Sequence, residues 1–189
     1  MKPWMLVCLL SLAACTSPTA PPSTESPNPP SESLPACSAV RFNAEGVGLS
    51  SAVFTQALNQ VRATPCRCAN QAFASPVAAV AWDAKLETAA LAHSQDMQRN
   101  NFFSHTGSDG SNPGQRIARA GYSAASWGEN IAAGYPDMNT VIRGWLDSRS
   151  GHCEAIKSAG FSEIGAALVQ GDASNTYRTY WTLVLARPR

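Results

Sequence analysis

The sequence predicts an α+β fold, a three-layer α-β-α sandwich with a central and mainly antiparallel sheet. Apolar side chains recur at helical spacing in several separate stretches between residues 50 and 160. From Glu163 onward the period is that of strands, and the runs 163–170 and 177–186 flank the turn sequence GDASN as in a β-hairpin. Because the run 177–186 is apolar on both faces, we expect helices to cover both sides of the sheet.

Two long helices are predicted before residue 101. Ser50 or Ser51 caps the first helix. Its buried stripe consists of Val53, Phe54, Ala57, Leu58 and Val61. Asp83 caps the second helix, which covers residues 84–100. His93 lies on the apolar face of this second helix, and we interpret it as a hydrogen-bonded core histidine rather than as a ligand.

The middle of the domain is predicted to contain shorter helices and one long loop. Residues 116–120 form a short helix that ends at Gly121. The glycine-rich segment 121–136 follows as a loop, and Asp137 then caps a helix over residues 138–148. A further helical turn lies in the sequence SGHCEAIKSAG.

The first 36 residues predict export and membrane attachment. Residues 1–14 combine one lysine with an apolar run that is too short to span a bilayer but has the length of a secretory signal. The run ends in Leu-Ala-Ala before Cys15, which resembles a bacterial lipobox and predicts that Cys15 is lipidated; the alternative is an ordinary signal peptide that contains a cysteine. Residues 15–36 are rich in proline and serine and predict a disordered tether. A linker over 37–49 and a folded domain over 50–189 complete the predicted organisation.

These features predict the location of the chain and exclude one class of partner. A lipidated Cys15 would anchor the protein to the bacterial cell envelope, so the membrane is an expected partner. Thr16 follows the cysteine instead of an aspartate, which favours the outer membrane, with the domain facing the periplasm or the surface. A formal net charge of +1, without a cluster of lysine or arginine, argues against nucleic acid as a partner.

Four cysteines beyond Cys15 predict two disulfides, because an even number in an oxidising compartment favours pairing. A zinc site is the alternative, but Cys66-x-Cys68 lacks the two-residue gap of a zinc knuckle. A bond between Cys66 and Cys68 would close a strained ring, which leaves two pairings open. We adopt Cys68–Cys153 with Cys37–Cys66 as the prediction. The longer bridge would close most of the domain and contribute about 4–5 kcal/mol in the chain-entropy model.

Several short motifs follow one another in order along residues 50–188. They are a helix that contains H and DM, then FFSH, DG, R…AGY, GENIAAG, GW…GHC, EIGAAL and YWTLVLA. In this order they resemble the CAP superfamily of cysteine-rich secretory proteins, antigen 5 and plant pathogenesis-related proteins, and most of all its bacterial single-domain SCP-like members. The resemblance implies the same α-β-α sandwich.

The resemblance also implies a cleft with two histidines and two acids, which holds zinc or another divalent cation in some members. His105 in FFSH and His152 in GHC match the histidines, and Glu129 in GEN matches the first acid. The second acid follows the helix tryptophan by three residues, a position that Ser148 occupies here. Asp147 is no substitute, since it points about 100° away from Ser148 around the helix.

The expected function is that of a lipid-anchored, non-catalytic binding module for a small apolar ligand, a wall component or a protein partner, with a cleft that can bind a divalent cation. By resemblance, relatives that bind sterols and fatty acids support the lipid version. One alternative is a metal-dependent envelope hydrolase that uses His105, Glu129 and His152, or Ser148 with His152 and Glu129, although no nucleophile elbow accompanies the serine. The other alternative is a purely structural or interaction protein in which the same polar residues brace the segment 121–136.

Overall fold

The computed structural model describes residues 33–189, apart from residues 47 and 70. The predicted signal peptide over 1–14, the lipidation site Cys15 and most of the tether over 15–36 lie outside the described residues. The segment 37–49, predicted as a linker, contributes to the domain, because Cys37, Val40 and Ala44 are buried in its largest core cluster.

Five α-helices and six strands make up the described domain, after a short 3-10 turn at Cys37–Ala39. The helices are α1 (Ser51–Ala63), α2 (Ala84–Arg99), α3 (Pro113–Arg119), α4 (Met138–Asp147) and α5 (His152–Ile156). The strands are β1 (Cys66–Arg67), β2 (Ala72–Phe73), β3 (Ala81–Trp82), β4 (Ala124–Ala133), β5 (Glu163–Gln170) and β6 (Thr179–Pro188). Strands β1 and β2 form a small antiparallel pair of their own.

The central sheet has the strand order β3-β5-β6-β4. Strand β3 is parallel to β5, and the other two pairs are antiparallel, so that the prediction of a mainly antiparallel sheet is confirmed. Strand β6 lies in the middle and is buried from Thr179 to Ala186, as expected for a run that is apolar on both faces.

Helices cover both faces of this sheet, which confirms the predicted α-β-α sandwich. On one face, residues of α1, α4 and α5 share the largest core cluster with Trp181, Leu183 and Leu185 of β6. On the other face, residues of α2 and α3 pack against Val184 and Ala186. Helix α2 approaches β5 closely at Gly165, where a Cβ atom would lie 2.0 Å from the Glu87 nitrogen, so only glycine fits at this contact.

The capped helices agree with the sequence. The Asp83 carboxylate accepts hydrogen bonds from the Lys85 and Leu86 backbone nitrogens at the start of α2, and the Asp137 carboxylate accepts one from Thr140 at the start of α4. Helix α3 begins at Pro113, three residues before the predicted start, because the side chain of Asn112 caps it.

The prediction of a loop over residues 121–136 is wrong, because residues 124–133 form β4. This strand pairs with β6 along its whole length, from Ala124 opposite Pro188 to Ala133 opposite Tyr180. Strand β4 is rich in small residues and contains Gly128, so its sequence does not show the apolar strand pattern on which the prediction relied. A Cβ atom at Gly128 would lie 3.0 Å from the Phe161 ring, which explains why a small residue is needed there.

The structure contains both disulfides of the adopted pairing. Cys37 is bonded to Cys66, and Cys68 is bonded to Cys153. The second bridge joins residues 85 positions apart and ties the start of α5 to the β1 segment.

Candidate functional site

A surface cleft of about 620 Å³ lies beside the second half of β4 and the end of α4. Both predicted histidines, His105 and His152, line it together with Ser148. Phe103 and Tyr177 also line the cleft, and their aromatic rings lie with centroids 5.9 Å apart.

Three local features bring these side chains to the cleft. His105 follows α2 in the turn region that leads to α3, and Ser148 is the residue that ends α4. Gly151 adopts a left-handed conformation (φ 87°) directly before α5, a geometry that favours glycine. The chain therefore reverses between α4 and α5 and returns His152 to the side of Ser148.

Glu129 lies beneath His105, not on the surface of the cleft. It sits in the middle of β4 opposite Val184, on the face of the sheet that α2 and α3 cover, and its side chain is 2% exposed. One carboxylate oxygen accepts a hydrogen bond from His105 Nδ1 at 2.8 Å. The other accepts one from Arg116 Nη2 at 2.7 Å. Both oxygens of the carboxylate are thus engaged.

Arg116 is the positive partner in this buried network. Its side chain is 7% exposed and also donates hydrogen bonds to the backbone carbonyls of Ser111 and His105, at 2.8 and 2.9 Å. The guanidinium therefore balances the charge of Glu129 and holds the backbone that carries His105.

His93 completes the network from α2 and confirms the interpretation of a hydrogen-bonded core histidine. It is fully buried, and its Nε2 atom donates to the Ser104 carbonyl at 2.9 Å and lies 3.9 Å from Glu129. Burial lowers the pKa of His93 below its ordinary value of 6.5, although the charge of Glu129 acts in the opposite direction. A neutral imidazole is the consequence.

His152 is held on the opposite side of the cleft by a different partner. Its Nδ1 atom is 2.8 Å from the hydroxyl of Ser148, and its backbone carbonyl accepts a hydrogen bond from Asn130 at 3.1 Å. Burial, and secondly the proximity of His105, lowers the pKa of His152 below 6.5, so this imidazole is also neutral at pH 7.

The three residues matched to a metal site do not assemble as one. Among the described residues, only Cys37, Cys68 and Cys153 bring three such donor atoms within 4.8 Å of one another, and all three are bonded in disulfides. Both oxygens of Glu129 are already occupied by Arg116 and His105. The expected three-ligand site of His105, Glu129 and His152 therefore does not fit this geometry.

The serine-based alternative is also incomplete. Ser148 does contact His152, but the carboxylate of Glu129 pairs with His105 instead, so no Ser-His-Glu relay is formed. Asp147 lies outside the cleft, as expected from its direction on α4, and accepts a hydrogen bond from Ser38 at 3.4 Å.

Three residues of the site were not predicted from the sequence. They are Arg116, Phe103 and Tyr177. An arginine at the buried face of a short capped helix was the available signal for Arg116, since a buried guanidinium implies an acidic partner nearby. Phe103 stands two residues before His105 in the motif FFSH, but nothing in the sequence reveals that its ring meets Tyr177.

Comparisons with known proteins agree with this fold. The profile of the CAP family, described as the cysteine-rich secretory protein family, matches residues 55–185. The uncharacterized protein YkwD of Bacillus subtilis (strain 168) is 34% identical over 88 residues, which are 47% of this chain and 34% of that protein. The uncharacterized membrane protein YlbC of the same strain is 32% identical over 92 residues, 49% of this chain and 26% of that protein. The match thus spans about a third or less of the length of these relatives.

Two solved structures share the fold. An extracellular protein from Bacillus anthracis that contains an SCP domain has a TM-score of 0.56 and 27% identity, with 71% of this chain and 39% of that chain covered. An outer surface protein from Borrelia burgdorferi has a TM-score of 0.53 and 24% identity, with 60% of this chain and 80% of that chain covered. Within residues 33–189, apart from 47 and 70, no helix has the length and apolar character that a membrane crossing requires.

Proposed function

The chain belongs to the CAP family of cysteine-rich secretory proteins, and from this membership and the geometry of the cleft we propose that it is an exported, non-catalytic binding domain. The ligand occupies the cleft between His105 and His152. One observation carries this proposal. Each imidazole is held at its Nδ1 atom by a protein partner, Glu129 or Ser148, and neither Nε2 atom has a hydrogen-bond partner among the described residues. Both histidines line a cavity of about 620 Å³, within the usual size range of ligand pockets.

A binding role is favoured over hydrolysis by what the side chains already contact. A hydrolase needs a free general base or a metal-bound water next to the substrate. Glu129, the one acid matched to the site, is engaged with Arg116 and His105. Ser148 has no carboxylate behind its histidine partner. The metal-dependent alternative thus lacks a free carboxylate, and the serine-based alternative lacks the acid of its relay.

The proposed location is the cell envelope, with the chain anchored by a lipid on Cys15. Two disulfides support export, because such bonds persist in oxidising compartments. Relatives described as a membrane protein, an extracellular protein and an outer surface protein support the same location. Labelled palmitate should be incorporated into the wild-type chain in cells and not into Cys15→Ala; equal incorporation into both would overturn the anchor.

A cleft-filling substitution tests the binding role. We compare the wild-type full chain with two variants, all in a detergent without a sugar headgroup. Ala133→Phe fills the cleft, and Ala118→Phe is the control at an exposed position on α3 outside the cleft. Palmitate and tri-N-acetylchitotriose are the probes. A probe that binds the folded state should raise the melting temperature of the wild type and of Ala118→Phe, and not that of Ala133→Phe.

Two results would contradict this proposal. One is a probe response that survives in Ala133→Phe, which would place the ligand elsewhere. The other is turnover of p-nitrophenyl acetate that is abolished by a chelator and by His105→Ala, which would make the protein a metal-dependent hydrolase.

A further inference from the structure

The cleft is lined by uncharged side chains and two histidines. None of the described residues that line it is an aspartate, a glutamate, a lysine or an arginine. We infer that the cleft takes an uncharged glycan segment, with sugar rings against Phe103 and Tyr177 and hydroxyl groups on His105 and His152. This inference rests on the proposed binding function and specifies its ligand.

The charge balance around the cleft excludes a strongly charged ligand. Glu129 lies behind the wall on the side of His105, and Arg116 offsets its charge at 2.7 Å. A phosphate, a carboxylate or an ammonium group would be desolvated in this cleft without an opposite charge to compensate, which is costly.

The hydrogen-bonding groups of the cleft exclude a plain hydrocarbon. The carboxylate of Glu129 accepts from His105 Nδ1, so Nε2 is the ring nitrogen that is left to bond a ligand. His152 Nε2 and the Ser148 hydroxyl add further polar atoms on the opposite wall. An alkyl chain would remove water from these atoms and replace none of their hydrogen bonds. Sugar hydroxyls donate and accept, and so match both walls.

The rim of the cleft has the apolar surface that one face of a sugar ring requires. Phe103 is 45% exposed and Tyr177 is 37% exposed, and they are two of the four large apolar side chains exposed among the described residues. The ring of Tyr177 is held edge-on by Tyr180, at a centroid distance of 5.9 Å. Two rigid aromatic side chains beside polar groups form an amphipathic wall, which suits a ligand with apolar C–H faces and polar edges.

A matched pair of ligands distinguishes an uncharged glycan from a charged ligand. Tri-N-acetylchitotriose is uncharged, whereas its fully deacetylated form has the same backbone and carries an ammonium group on each ring. We would measure binding of both to the full chain by calorimetry, in a detergent without a sugar headgroup, at about 50 mM and about 500 mM sodium chloride. Maltotriose and cellotriose extend the neutral set to other linkages, and palmitate represents the hydrocarbon.

At least one neutral trisaccharide should bind with saturation, with an affinity that changes less than about twofold with salt. The deacetylated trimer should not bind. Phe103→Ala and Tyr177→Ala should each weaken binding by about fivefold or more. Leu91→Ala is the matched control, because Leu91 is an exposed apolar residue outside the cleft and its loss should leave the affinity unchanged.

Three results would overturn the glycan inference. The first is tighter binding of the deacetylated trimer with a steep loss in salt. The second is binding of palmitate alone in a Phe103- and Tyr177-dependent manner, which would leave the binding function standing with a different ligand class. The third is that no neutral trisaccharide binds. If palmitate does not bind either, and if each probe changes the melting temperature of Ala133→Phe as it changes that of the wild type, the proposed binding function is also refuted.

Discussion

Replacing Glu129 by glutamine tests whether the buried network holds the cleft together. The substitution keeps the shape of the side chain and removes its charge. Arg116 then stays buried with two backbone carbonyls as its remaining strong acceptors. The new amide can serve both partners only if its oxygen faces Arg116, its NH2 group faces His105, and the imidazole proton moves from Nδ1 to Nε2.

The expected loss of stability follows from the burial of Glu129 and from the two hydrogen bonds that its carboxylate accepts. The side chains of Glu129 and Arg116 are 2% and 7% exposed, so water cannot replace the lost partner. Removal of one member of such a buried pair costs about 3–5 kcal/mol. The carbonyl bonds that Arg116 retains reduce this cost, and we expect Glu129→Gln to lower the free energy of unfolding by about 3 kcal/mol.

A double-mutant cycle with Arg116→Met measures the coupling directly. Denaturant unfolding of the oxidised protein gives the free energy of unfolding for the wild type, both single variants and the double variant. Because the double variant leaves no unpaired charge, its loss should be smaller than the sum of the single losses by about 2 kcal/mol. Additivity of the two losses within about 0.5 kcal/mol would refute a network in which Arg116 balances Glu129.

Three further predictions concern the rest of the domain. The variant with both Cys68→Ala and Cys153→Ala should lose about 4–5 kcal/mol of unfolding free energy under oxidising conditions, because the bridge closes an 85-residue separation; a loss below about 1 kcal/mol in denaturant unfolding contradicts this. Lys157→Met should lose about 2–4 kcal/mol in the same assay, since the buried Lys157 ammonium donates to three carbonyls at the end of α1, and an unchanged midpoint would argue against that role. Burial lowers the pKa of His152 and His93 below 6.5, so the unfolded chain takes up protons first and stability should fall as the pH drops below about 6.5. Over this pH range the melting temperature of His152→Asn should fall less steeply than that of the wild type, and equal slopes would exclude His152 as a contributor.

The sheet hairpin and the capped helices could be predicted because their signals are local. Asp83 and Asp137 each stand directly before a helix that they cap, and β5 and β6 show an apolar strand pattern on either side of a polar turn. Strand β4 could not be predicted in the same way. It pairs with β6 about 50 residues later in the chain, as between Glu129 and Val184, and such a non-local partner overrides a glycine-rich sequence with weak strand propensity.

The members of the site were found through the family resemblance, and their arrangement required the fold. His105, Ser148 and His152 do meet at one cleft. Glu129 was expected beside them, but strand alternation directs it to the face of the sheet that α2 and α3 cover. No spacing in the sequence indicates this, because the face that β4 presents to each helix layer is set by its register with β6.

Two features of the site reduce the negative charge at the cleft. At Ser148, a hydroxyl replaces the second acid and bonds to His152 Nδ1, so that no negative charge faces this imidazole from α4. At Glu129, the first acid is present, but Arg116 offsets its charge inside the protein. Together these two features leave no carboxylate on the lining of the cleft that could bind a divalent cation alongside the two imidazoles. What remains is a pair of imidazoles whose Nε2 atoms have no hydrogen-bond partner among the described residues, a geometry suited to hydrogen-bonding an uncharged ligand.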